Sequence, residues 1–98
     1  MLIHIVCWKY KPETDAETRD LHRNRLAALA AVVDAIHTFD VGADILHLDR
    51  SFDTGLVVRF RDREALDRYT DHPEHLKVAA MGKDISEKVV SVDFFTHD

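Results

Sequence analysis

Tyr69, His72 and His75 fall within one short stretch, Tyr69-Thr70-Asp71-His72-Pro73-Glu74-His75. A neutral imidazole with a pKa near the working pH can remove a proton alpha to a carbonyl. A phenol, with its pKa of about 10, stays protonated and can donate a hydrogen bond to the enolate oxygen that forms. His75 as base and Tyr69 as donor would thus be a cofactor-free acid/base pair. Each residue also has a plainer alternative. His75 can pack or bond a backbone carbonyl in the first turn of a helix, and Tyr69 can bury its ring at a helix end with its hydroxyl tied to a nearby polar group. His72 precedes Pro73, which disfavours the α conformation and suits His72 to capping exposed amides at a helix restart.

Other chemistries lack an anchor. His72 and His75 are three apart, a spacing compatible with zinc ligands, but the rest of a ligand set is missing. Cys7 is a lone thiol, Asp71 and Glu74 suit a solvated surface, and His97 lies near a terminus prone to fraying. No side-chain metal site and no cofactor are expected. Glycine-rich phosphate loops, Ser/His/Asp arrangements and paired cysteines are absent.

The elements that must position these side chains follow from periodicity. Leu2 to Tyr10 is β-branched and aromatic, with Leu2, His4, Val6 and Trp8 on one face and Ile3, Ile5 and Cys7 on the other. Both faces are apolar enough to predict a central strand covered on both sides, with Cys7 as a buried thiol. Thr14-Asp15-Ala16-Glu17 has the form of a capping box. It opens a helix to about Val33 whose apolar side carries Leu21, Leu29, Val32 and Val33. Ile36 to about Ile45 predicts a second strand, with Gly42 marking a bulge or a close backbone approach. Gly55 to Arg61 alternates as a third strand.

Asp62 caps a short helix from Arg63 to about Tyr69, and Pro73 begins another that runs toward Gly82 with Leu76, Val78, Ala79 and Met81. Glu87 to Phe95 closes as a fourth strand. The order strand, helix, strand, strand, broken helix, strand is that of an α+β, ferredoxin-like antiparallel four-stranded sheet with helices on one face. The other face is too apolar for water, and a second copy of the chain is its simplest cover.

Bulk properties agree with one domain over residues 1–98. At 98 residues and 46% hydrophobic content, a chain buries about 60 to 70% of its unfolded surface, so dimerisation would help. The net charge is −5, with Lys and Arg interspersed among Asp and Glu. That argues against nucleic acid or an anionic membrane as partner. Protonating all seven histidines would carry the charge to +2, so surface charge should respond to pH. The single cysteine rules out an internal disulfide, and Met1 to Tyr10 has no basic signal-like start. A cytoplasmic setting is expected.

Four stretches together resemble the stress-responsive α/β-barrel domain family: Ile3-His4-Ile5-Val6 with Lys9-Tyr10-Lys11, Phe39-Asp40-Val41-Gly42, Phe52-Asp53 to Phe60, and Tyr69 to His75 leading into Val89 to Phe94. The resemblance covers nearly the whole chain. It implies ferredoxin-like protomers whose sheets pack face to face as a dimeric α/β barrel, most of them without assigned chemistry. One plant member is a polyketide cyclase that works by aldol condensation. Carried over by position, Tyr69 and His75 match its working pair, and His4 matches a histidine lining its pocket. Thr54 departs from the family, which often has His after the equivalent of Asp53. Two expectations result. One is a homodimeric domain of unassigned activity that binds a small apolar ligand; the other is a cofactor-free cyclase, aldol-type or isomerase enzyme acting on a carbonyl compound.

Overall fold

The computed structural model describes residues 1–97. Its elements are β1 (Leu2–Tyr10), α1 (Ala16–Val32), β2 (Thr38–Ala43), β3 (Thr54–Phe60), α2 (Arg63–Asp71), α3 (Pro73–Ile85) and β4 (Ser86–Phe95). The four strands form one antiparallel sheet in the order β2-β3-β1-β4. This is the ferredoxin-like arrangement expected from the sequence. Among the described residues, no helix is long and apolar enough to cross a membrane.

Register divides the sheet into two unlike faces. On the helix side, Trp8 lies between Thr54 and Val89, Val6 between Leu56 and Ser91, and His4 between Val58 and Asp93. Trp8, Leu56, Val58, Phe60, Leu26, Leu29, Val33, Tyr69 and Val78 make the centre of the core there. Burying an aliphatic side chain of this kind is worth about 1.5–3 kcal/mol. On the other side, Ile5, Cys7, Val57, Val90, Val92 and Phe94 share a face, and the four apolar residues of β3 and β4 among them are 37–53% exposed in a single chain.

Several local expectations need correction. Asp15, not Thr14, caps α1, its carboxylate accepting from the Thr18 amide at 2.7 Å. Thr14 instead donates to the Ile85 carbonyl, tying the β1–α1 connection to the end of α3. The stripe that meets the sheet is His22, Leu26 and Leu29 of α1, continued by its C-cap Val33. Leu21 and Val32 are 44% and 54% exposed, because the hydroxyl of Tyr10 engages His22 and so sets the rotation of the helix. On α3, Val78 is buried while Leu76 and Ala79 are exposed. Gly42 pairs with Gly55 in unbroken register and nothing approaches it closely; the sheet's irregularity lies between Lys9 and Tyr10 against β4. Cys7 is half-buried on the open face.

Gly82 does not end α3, which continues to Ile85. It is the point at which the helix backbone crosses two rings: a Cβ there would stand 2.8 Å from Trp8 Nε1 and 2.9 Å from His22 Nε2. Alanine ordinarily stabilises a helix interior by about 1 kcal/mol relative to glycine. Here overpacking, typically costing about 1–3 kcal/mol, opposes that gain and should outweigh it. Gly82→Ala is therefore expected to lower the urea midpoint at unchanged slope, and a raised midpoint would contradict the close packing.

Candidate functional site

A proline break brings Tyr69 and His75 together. On one continuous helix, residues six apart would sit roughly 120° apart in azimuth and roughly 9 Å along the axis. Pro73 instead drives His72 to φ −64, ψ 132, outside the helical region, so α2 ends and α3 starts in a new direction. His72 caps that restart: its Nδ1 accepts from the Glu74 amide at 3.1 Å. With the chain so turned, the rings of Tyr69 and His75 lie 4.3 Å apart, centroid to centroid. His4, from the central strand, meets the Tyr69 ring edge-to-face, with centroids 6.0 Å apart.

Hydrogen bonding fixes what each ring can offer. His75 Nδ1 lies 3.0 Å from the Thr70 carbonyl oxygen. A carbonyl only accepts, so Nδ1 carries the proton, and the neutral ring keeps its lone pair on Nε2. Burial holds the pKa of His75 below 6.5; the bond to Thr70 opposes this, and charge on His4 and His72 adds to it. Burial also pushes Tyr69 up to about 12, so it stays a phenol. Its hydroxyl has no hydrogen-bond partner among the described residues. His4 Nδ1 faces the Asp93 carboxylate at 2.5 Å, directly across the β1–β4 ladder. The carboxylate accepts from Nδ1–H, which fixes the ring and leaves Nε2 free.

These groups line one end of a cavity of about 650 Å³ between the sheet and α3. Val6, Trp8, Leu26, Ala79 and Val89 form its apolar walls. An apolar cleft of this size with a few convergent polar groups suits a small organic ligand. All three residues singled out from the sequence, His4, Tyr69 and His75, are at this cavity.

Thr54 is not. It is fully buried in a separate cluster, where its hydroxyl contacts that of Tyr10 at 2.8 Å and accepts from Arg23 at 2.8 Å. Tyr10 in turn bonds His22 Nδ1 at 2.7 Å. Asp93 and His22 were not singled out. The only sequence signal for Asp93 is its place in the alternation Val89, Ser91, Asp93 along β4, and its partner becomes visible only once the strand register is known.

A family model described as "Stress responsive A/B Barrel Domain" matches residues 2–96. Among solved structures, a dimeric ferredoxin-like protein of unknown function from Thermobifida fusca is 20% identical with a TM-score of 0.88, over 97% of this chain and 90% of that one. The hydroxynitrile lyase of Passiflora edulis is 19% identical with a TM-score of 0.87, over 99% of this chain and 94% of that one. A protein of Arabidopsis thaliana is 21% identical with a TM-score of 0.85, over 100% of this chain and 97% of that one. At these identities the likeness is one of fold. A search of curated proteins found no match.

Proposed function

The chain belongs to the stress responsive A/B barrel domain family, and on that premise we propose that it is a homodimer whose protomers each bind a small apolar carbonyl compound and make or break a carbon–carbon bond beside the carbonyl. The pairing that carries this reading is His75, with Nε2 unprotonated, against Tyr69, with a free phenolic hydroxyl, in one apolar cavity.

In the condensing direction, His75 Nε2 takes the proton from the carbon alpha to the carbonyl. The carbonyl oxygen becomes an enolate oxygen and accepts a hydrogen bond from Tyr69. The enolate carbon then attacks a second carbonyl, whose oxygen takes the proton back from the His75 imidazolium. Cleavage is the reverse. A base and a donor set on either side of an enolisable carbon need no cofactor. His4, steadied by Asp93, forms the pocket wall and offers Nε2 as a second polar contact. The lyase from Passiflora edulis supports the reading, since its name places carbon–carbon chemistry on the same fold.

Turnover of a panel of β-hydroxy ketones, cyanohydrins and linear polyketones tests the catalytic part, with Tyr69→Phe and His75→Gln as controls. If the apolar ketones bind but no member of the panel turns over, the domain is a ligand carrier.

The open sheet face supports the dimer part, as does the likeness to the dimeric protein from Thermobifida fusca. A stable interface of standard size buries at least ~1,200 Å² in total. Light scattering at micromolar concentration should therefore give twice the chain mass, and Val92→Glu should halve it; a wild-type monomer would refute the dimer. The setting proposed is cytoplasmic, without nucleic acid or membrane as partner.

A further inference from the structure

We infer that the cavity takes a two-ended ligand, with the reacting carbonyl at the His4, Tyr69 and His75 end and a hydroxyl group about 12 Å away at the other; this rests on the carbonyl reading of the first end.

The cavity is elongated. Along α3 the lining residues are His75, Ala79 and Lys83, which repeat every four positions and so form one stripe. Eight residues of helix span about 12 Å. Along β1 the lining residues are His4, Val6 and Trp8, and four residues of strand cover about 13 Å. Both walls thus run parallel over the same distance, polar at the catalytic end and apolar in the middle.

At the far end the lining turns polar again, with Lys83, Ser86, Glu87 and Lys88. Ser86 is 8% exposed and its Oγ is nearly covered, yet it has no hydrogen-bond partner among the described residues. Leaving a buried hydroxyl unpaired is unfavourable, and a ligand oxygen would relieve that. Lys83 and Glu87 likewise form no ion pair among the described residues.

The charge at this end selects the head group. Lys83 and Glu87 cancel, and Lys88, which also lines this end from its place opposite Lys9, adds a positive charge that the negative end of the α3 dipole partly offsets. A carboxylate would meet Glu87 and the negative end of the α3 dipole. A hydroxyl accepts from Ser86 or Lys83 and donates to Glu87, so it satisfies both signs at once.

Equilibrium binding of three methyl ketones of matched chain length tests this: one ending in methyl, one in hydroxyl and one in carboxylate. The hydroxy ketone is expected to bind about five- to tenfold tighter than the plain ketone, and the carboxylate more weakly than the hydroxy ketone. The hydroxyl advantage should vanish in chains too short to span the cavity. Ser86→Ala, whose lost hydroxyl holds nothing in the fold, should remove the advantage while leaving plain-ketone affinity unchanged. Equal affinity of hydroxy and plain ketones, or an advantage that survives Ser86→Ala, overturns this inference alone. Failure of every ketone to bind overturns it together with the carbonyl reading beneath it.

Discussion

His75→Gln is expected to lower kcat on a competent substrate by about 10²- to 10⁴-fold, the usual contribution of a positioned general base, with little change in ligand affinity. Glutamine keeps the size and a hydrogen bond to the Thr70 carbonyl but has no basic nitrogen. Tyr69→Phe keeps the ring packing against Phe60 and His75. It should cost about 10²- to 10³-fold in kcat, as loss of a single oxyanion donor does. Because both residues act on one proton transfer, the double variant should be far less than multiplicatively worse.

The pH profile supplies an independent check. His75 must be neutral to accept a proton, and its pKa is held below 6.5 by burial. Activity should therefore be full at neutral pH and fall only as the pH drops through a value below 6.5. Tyr69, at about 12, should give no alkaline limb below that pH. An acid limb in kcat/KM that persists unchanged in His75→Gln would remove His75 from the role.

The second large effect concerns stability in acid and arises outside the cavity. His22 is 0% exposed. Burial lowers its pKa to about 4, helped by the Arg23 charge. The folded state thus holds His22 neutral, whereas the unfolded chain takes up a proton below about 6.5. The stabilising contribution is complete above pH 6.5 and is lost as pH falls toward 4. Its full size is of order 3 kcal/mol, from the linkage of about 1.4 kcal/mol per pH unit.

His22→Gln retains an acceptor for the Tyr10 hydroxyl and cannot titrate. Between pH 7 and 4, wild-type stability from urea unfolding should fall by about that much more than the variant's; parallel curves would refute it. His75 shifts in the same direction and adds to the loss in both proteins.

The element order, the helix break at Pro73 and the cap by His72 were all legible in the residues, because turn chemistry and apolar periodicity are local. The rotation of α1 was not. Leu21 and His22 compete for the same inward position, and only the hydroxyl of Tyr10, twelve residues back in the chain, selects the histidine. Gly82 misled for a related reason: a glycine late in a helix resembles a terminator, yet here it clears space for Trp8 and His22.

The candidate site divides along the same line. Its residue types, an imidazole and a phenol around a proline and an early-strand histidine, were determined by the sequence alone, since those side chains are what they are wherever the chain folds. Which nitrogen of His75 is free, that Asp93 steadies His4, and that Ser86 waits without a partner at the far end were decided only in three dimensions. Each depends on which groups from distant strands and turns arrive within hydrogen-bonding reach, and that is set by strand register and helix direction, not by spacing along the chain.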